Sequence, residues 1–330
     1  MPSENLDMQA TNQPSNIIPR IVFMGTPEFA VASLDALVQA GYNIVAVITA
    51  PDKPAGRGMK LTESAVKKYA VEKQLHMLQP VKLKDPEFLA ELKNLQADLQ
   101  IVVAFRMLPE VVWNMPPLGT INLHGSLLPQ YRGAAPINWA VINGEKETGV
   151  TTFKLQHEID TGNILLQDSF PIGEDETAGE VHDKMKEIGA QLLVKTVEGL
   201  AKDTLTEIPQ KAVGSGQWAV ENTEPKHAPK IFTETCEIDW NNSINSIYNL
   251  IRGLSPYPAA FTYLNDKMLK IYKAKKELHQ APKSPGSFDT DNKTYLKFAG
   301  ADGYIYVTEL QLEGKKKMTI EEFLRGYRFS

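Results

Sequence analysis

Asn122 and His124 stand two residues apart at the end of an apolar strand-like run, and Asp160 follows further along the chain. Residues i and i+2 of a strand point to the same side, so a carboxamide and an imidazole would face one cleft. A carboxamide N–H stabilises an oxygen on which negative charge grows. An imidazole of near-neutral pKa can stabilise the same oxygen or take the proton that leaves a nucleophile. The pair therefore suits a reaction at a carbonyl carbon, with Asp160 available as a third member. The same residues have a structural reading, since a strand-end Asn or His also serves as a turn former or a satisfied polar group. Ser126, in the rigid loop that follows, is read as a loop former because the Gly-x-Ser-x-Gly elbow of a serine nucleophile is absent. Tyr131 and Arg132 read as pins that hold this loop by hydrogen bonds.

Positioning such groups requires strands with their carboxyl ends on one side, and the sequence provides them. Residues 21–24, 44–49, 99–105 and 120–123 are short and nearly continuously apolar, as strands buried on both faces are. Residues 27–40, 63–73 and about 85–95 alternate with them as helices, the last opened by Asp85 as cap and Pro86 at its first position. This order predicts an α/β domain with a doubly wound, mostly parallel, Rossmann-like sheet, whose ligands sit beyond the strands' carboxyl ends. Asn122 and His124 lie at such an end. Gly25 after the first strand is a single glycine rather than a Gly-x-Gly-x-x-Gly pattern, and no phosphate-binding Gly-Lys-Ser/Thr follows, so it reads as a tight strand-to-helix turn.

The 330 residues exceed the usual single core and predict two domains. No apolar run of about 18 residues exists to span a membrane. The first residues are polar and carry neither a secretory signal nor an Arg-rich transit peptide, which predicts a disordered tail over residues 1–19 and a cytoplasmic protein. The lone Cys236 has Glu234 and Glu237 as neighbours, which disfavour a thiolate. The six histidines show no metal-ligand spacing, and no metal is expected.

A catalytic domain is predicted over residues 20–206, ending after a helix over about 180–202. Residues 207–225, rich in Pro, Gly, Gln and Thr, read as a linker. Beyond it, stretches at 260–264, 268–274, 296–298 and 304–312, broken by turns at Asn265-Asp266, Ser284-Pro285-Gly286 and Asp302-Gly303, predict a small β-rich domain over 226–330. That segment holds sixteen Lys and Arg against twelve Asp and Glu, a net of +4, which leaves −9 for the rest of a chain of net charge −5. A basic appendage on an acidic catalytic domain suits a polyanionic substrate, although lysine runs are also ordinary solvated faces.

The run Asn122-Leu123-His124-Gly125-Ser126-Leu127-Leu128-Pro129 resembles the hallmark of the formyltetrahydrofolate-dependent formyltransferases, and Asp160-Thr161-Gly162 resembles their aspartate motif. The resemblance runs from Ile21 to about Tyr327. Phe23-Met24-Gly25-Thr26-Pro27, Asp52-Lys53-Pro54-Ala55-Gly56-Arg57-Gly58 and Gly314-Lys315-Lys316-Lys317-Met318 resemble the branch of that family acting on charged tRNA. The resemblance implies Asn122, His124 and Asp160 as catalytic residues and 10-formyltetrahydrofolate as co-substrate. By family position the reduced folate would lie against Val103, Ala104, Phe105, Leu108 and Pro109 and against Ser126, Leu127, Leu128 and Pro129. It also implies an OB-like fold for the last domain and charged initiator tRNA as partner of a monomeric enzyme. Lys53, Arg57 and Lys60 in the first basic loop and Lys315, Lys316 and Lys317 in the second domain would contact the tRNA, with Arg57 the key contact at its acceptor end. Ala104-Phe105-Arg106 stands where the family has Ala-Tyr-Gly, and Glu158-Ile159-Asp160 where it has Gly-Leu-Asp; each replaced glycine loses easy access to positive φ. Two alternatives share the core motif or the fold: a formyltransferase acting on an amino sugar nucleotide or glycinamide ribotide, and a non-catalytic RNA-binding module.

Overall fold

The computed structural model describes residues 18–55, 60–210, 224–278 and 283–329, with Ala55 and Lys60 described by their backbone alone. Most of the expected tail, Arg57 and most of the expected linker lie outside the described residues.

The first part runs β1 (Arg20–Gly25), α1 (Glu28–Gln39), β2 (Asn43–Ile48), β3 (Lys53–Ala55), β4 (Lys60–Thr62), α2 (Ala65–Glu72), β5 (Met77–Leu78), α3 (Pro86–Asn94), β6 (Leu99–Val103) and α4 (Glu110–Trp113). It continues through β7 (Thr120–His124), β8 (Arg132–Gly133), α5 (Pro136–Ile142), β9 (Glu147–Lys154), β10 (Ile164–Pro171) and α6 (Ala178–Ala201). Helix starts follow local chemistry. Asp85 caps α3 by accepting from the Glu87 N–H at 3.0 Å, with Pro86 at the first helical position. Thr177 and Glu180 form a reciprocal capping box on α6.

Seven strands form one sheet in the order β10-β9-β7-β6-β1-β2-β5. β5, β2, β1, β6 and β7 are parallel, while β9 and β10 extend the β7 edge in antiparallel pairing. Both faces are covered. Ile21 and Phe23 of β1 pack with α1, α2, α5 and α6, whereas Val22 and Met24 face α3 and α4. Burial on both sides is what makes β1 apolar from Ile21 to Met24. β1 has β2 on one side and β6 on the other, so the chain reverses its direction of travel there and opens a crevice beyond the carboxyl ends. Gly25 sits at that point without a positive φ. The tight strand-to-helix turn is there, with α1 starting at Glu28, and an added Cβ would lie 2.6 Å from the Ala30 Cβ and 3.1 Å from the Val103 carbonyl, so the close approach of α1 to the sheet is what demands glycine.

The second part contains β11 (His227–Ala228), α7 (Thr233–Cys236), α8 (Ile244–Leu254), β12 (Ala260–Leu264), β13 (Lys267–Leu278), β14 (Phe288–Thr290), β15 (Leu296–Ala299), β16 (Gly303–Leu312), β17 (Met318–Thr319) and α9 (Ile320–Gly326). β12-β13-β16-β15-β14, with β17 added to β16, make an antiparallel half-barrel. β12, β13, β15 and β16 fall where the alternating stretches predict strands, and β14 and β17 are additions. α8 lies across them, burying Ile244, Ile247, Ile251 and Leu254 with Leu269, Ile271, Ile305 and Val307. Cys236 is buried in the same core, and burial pushes its thiol pKa up.

The two parts touch through α5 and α8. Asn138 donates to the Gly253 carbonyl at 2.7 Å, and the buried Arg252 donates to the Glu176 carbonyl at 2.9 Å. Tyr248 donates to the Asp175 carboxylate at 2.7 Å, closing the contact beside the start of α6.

Candidate active site

The crevice beyond β1, β6 and β7 is a cleft of about 500 Å³, and Asn122, His124 and Asp160 all line it. The β7 pleat turns both Asn122 and His124 toward it, with Leu123 between them in the core. Asp160 arrives from the loop between β9 and β10.

His124 is buried, and its orientation is set by the backbone. Its Nε2 lies 2.9 Å from the Tyr131 carbonyl. A carbonyl only accepts, so Nε2 carries the proton of the neutral ring and Nδ1 is left as the basic nitrogen. Nδ1 lies 3.8 Å from Asp160 Oδ2, a charge contact for a protonated ring and longer than a hydrogen bond. The Tyr131 carbonyl thus orients the imidazole, and Asp160 Oδ2 accepts from the Gly133 N–H at 3.0 Å. Asp160 itself has φ +54°, in the left-handed region.

Tyr131 is held in turn. Its φ is +59°, its N–H donates to the Lys226 carbonyl at 2.6 Å, and its phenol donates to Glu145 and accepts from Asn143 at 3.1 Å. Burial, reinforced by Glu145, raises the phenol's pKa above the ordinary tyrosine value, so it stays protonated as a donor. The Gly133 φ of +127° and the 2.5 Å left between its would-be Cβ and the Ala228 carbonyl admit only glycine where β8 pairs with β11.

The expected folate contacts separate into two groups. Ala104 and Phe105 line the cleft. Val103, Leu108, Ser126 and Leu128 are buried in the cores behind it, and Leu127, Pro109 and Pro129 are outside its lining. Ser126 donates to the Gln130 carbonyl at 2.6 Å, and Thr151 accepts from the Leu128 N–H at 3.1 Å while donating to the Ser126 carbonyl at 2.7 Å. These residues shape the loop rather than face a ligand. Neither glycine replacement takes a positive φ, which falls instead on Ala104 (+46°) and Asp160. Arg106 donates to the Val81 carbonyl at 2.9 Å and lies 5.4 Å over the Phe105 ring, fastening that side of the cleft.

Among the basic candidates, Lys53 is exposed in β3, while Arg57 lies outside the described residues and Lys60 is described by its backbone alone. Lys315 and Lys316 are exposed; Lys317 pairs with Glu309 at 2.7 Å and lies over Tyr272. A second concavity of about 610 Å³ shares Ile137, Asn138 and His182 with the cleft and runs to Lys273 and Lys317 of the second part. Among the described residues no group of His, Cys, Asp and Glu could hold a metal ion, and no helix is long and apolar enough to cross a membrane. Sequence reasoning passed over His182 on the cleft wall, the Tyr131 carbonyl, and the buried Gln210; nothing in their local sequence marks them.

Residues 19–197 match the family model described as Formyl transferase, and residues 230–328 match that of the Formyl transferase C-terminal domain. The solved structures it resembles include a sugar 3N-formyl transferase, WlaRD, with a TM-score of 0.64 and 20% identity, covering 91% of this chain and 100% of that one. HypX from Aquifex aeolicus in complex with tetrahydrofolic acid gives a TM-score of 0.60 at 19% identity, covering 94% of this chain and 48% of that one. The chain belongs to the formyl transferase family, a family that uses formyl-tetrahydrofolate, and falls in its methionyl-tRNA formyltransferase branch. The methionyl-tRNA formyltransferase of Bacteroides thetaiotaomicron is 55% identical over 318 residues, covering 94% of this chain and 96% of that protein. That of Parabacteroides distasonis is 56% identical over 315 residues, with the same coverage.

Proposed function

We propose that this enzyme transfers the formyl group of 10-formyltetrahydrofolate to the α-amino group of initiator methionyl-tRNA, and that Asn122, His124 and Asp160 carry the chemistry. The amine nitrogen attacks the formyl carbon, and the carbonyl electron pair moves onto oxygen. Asn122 would donate to that oxyanion, a contribution of about 10²- to 10³-fold for a single donor. His124 Nδ1 would take the amine proton, and the imidazolium so formed would be stabilised by Asp160 across the 3.8 Å gap. Collapse breaks the bond to the folate N10, which leaves with a proton, giving N-formylmethionyl-tRNA and tetrahydrofolate. No covalent enzyme intermediate is needed, because the nucleophile belongs to the substrate.

The observation that carries this reading is the tautomer fixed by Tyr131, which leaves the one basic nitrogen of His124 on the side of Asp160, in a cleft shared with Asn122. The folate is assigned to the wall of Ala104 and Phe105, supported from behind by Val103, Leu108 and the loop from Ser126 to Pro129. Residues 20–206 would do the chemistry and 226–330 would bind tRNA, joined by 207–225, in a cytoplasmic monomer. The tRNA contacts assigned are Lys53, Arg57, Lys60 and Lys315 to Lys317. The concavity leading from the cleft to Lys273 and Lys317 supports a polyanion entering across both parts. Transfer of labelled formyl from the folate to charged tRNA, with an amino sugar nucleotide as competing acceptor, tests the reading. Label is expected on the tRNA; label on the sugar nucleotide alone would overturn it.

A further inference from the structure

We propose that Gln210, where the chain leaves the catalytic domain, is a positioning residue for Asp160, so that the linker forms part of the catalytic device as well as a tether. The inference rests on the proposal that Asp160 takes part in formyl transfer.

Asp160 occupies a left-handed conformation, sparsely populated by residues with a side chain, and the groups around it help to hold it there. Gln210 is one of these groups. Its Nε2 donates to the Asp160 carbonyl at 2.9 Å and to the Gly162 carbonyl at 2.8 Å, bracketing the turn from both sides. Its Oε1 accepts from Arg132, through Nε at 3.0 Å and through Nη2. Both donors and both lone pairs of the carboxamide are thus engaged. The side chain is 6% exposed, and a buried carboxamide whose partners are withdrawn leaves unsatisfied groups on every side. Arg132 precedes Gly133, whose N–H holds Asp160 Oδ2. Gln210 therefore ties together the two backbone segments that meet on the Asp160 carboxylate, one through the aspartate's own turn and one through its hydrogen-bond donor.

The chain brings Gln210 there by strand-like pairing. Ile208 and Ile164 exchange backbone hydrogen bonds of 2.9 and 2.8 Å, which lays the departing segment along the start of β10. Immediately after the linker, the Lys226 carbonyl accepts from Tyr131 and the Ala228 carbonyl accepts from Ala134 at 2.7 Å. The Tyr131 carbonyl orients His124. One end of the linker thus fixes the aspartate, and the chain just beyond the other fixes the histidine. A carboxamide is required at Gln210, because a glutamate would set acceptors against two carbonyls and add a negative charge beside Asp160.

The test compares Gln210→Leu and Gln210→Glu in the full chain, each alone and combined with Asp160→Asn, under single turnover with enzyme in excess, so that slow rates stay readable. Each Gln210 variant is expected to lower the formyl-transfer rate by on the order of 10²-fold, the cost of a small misplacement of a catalytic group. Folate affinity should stay within about twofold, and in the Asp160→Asn background the further loss should also stay within about twofold, because the two changes remove the same contribution. Where thermal melting shows that Gln210→Leu has lost its fold, Gln210→Glu, which keeps an oxygen for Arg132, carries the comparison. Equal losses in both backgrounds, or a parental rate in the folded variants, would overturn the inference and leave the role of Asp160 standing. A parental rate for Asp160→Asn alone would overturn the role of Asp160 and this inference with it.

Discussion

At the scale of single residues, the division of labour between side chain and backbone decides what each mutation should do. His124 is oriented by a carbonyl, which no substitution of Asp160 removes. Asp160→Asn should therefore leave the imidazole in place and remove only the stabilisation of its protonated form. Its rate is expected to fall by about 10²-fold, the order found for loss of one electrostatic contact to a developing charge; a parental rate would count against the pairing. Asn122→Ala and His124→Ala should each reduce turnover by about 10²-fold or more while melting close to the parent, since neither side chain belongs to the apolar clusters. Steady-state rates measured beside melting curves check both expectations.

Among the elements, the pairing of β8 with β11 and the stretch that leads to Gln210 matter most, because they hold the loops that carry Tyr131 and Asp160. Gly133→Ala would force a Cβ to 2.5 Å from the Ala228 carbonyl at a φ of +127°. A loss of about 1–3 kcal/mol in stability and a fall in turnover are expected together, read by calorimetry and by rate. Glu207, three residues before Gln210, pairs with Lys154 at 2.6 Å and accepts from Asn163 at 3.0 Å, and these hold its carboxyl pKa below the ordinary glutamate value. A depressed carboxylate contributes stability that is present above its unfolded pKa and is lost as pH falls through the folded one. The parent should therefore melt higher than Glu207→Gln at neutral pH, with the gap closing as pH falls through the depressed pKa of the folded state. A gap that persists in acid would mean that the contribution is not ionic.

For the whole molecule, charge and the contact between the two parts set how a polyanion is received. Tyr248 and Arg252 fasten α8 beside the start of α6, next to the concavity that leads to the cleft. Lys317 already has Glu309 as partner, whereas Lys315 and Lys316 extend into solvent. Neutralising Lys315 and Lys316 should therefore flatten the salt dependence of tRNA binding more than neutralising Lys317, by a slope change of roughly one for each phosphate no longer neutralised. Arg57→Ala should weaken use of charged tRNA strongly and leave folate affinity unchanged, since a guanidinium holds phosphate or stacks on a base in a way lysine copies poorly. Binding isotherms across a salt series check both.

The sequence by itself determined the class of fold, the parallel strands β1, β2, β6 and β7 with the helices α1, α2, α3 and α6, the four long strands of the second part, and the three residues placed at the cleft. Those properties are local: β1 is apolar from Ile21 to Met24 because both its faces are covered, α3 carries its own cap, and the i, i+2 spacing turns Asn122 and His124 to one side. The antiparallel β9 and β10, the helices α5 and α8, and the partners of the triad were not legible there. Gln210 meets Arg132 from 78 positions away and Asp160 from 50. Tyr131 reaches His124 through a carbonyl that every residue type possesses. Nor did sequence show that the strained residues would be Ala104 and Asp160 instead of the glycine replacements beside them. Tertiary structure decided these matters, because a hydrogen bond to backbone leaves no mark in residue type, and contacts across long loops are fixed only when the sheet brings their ends together.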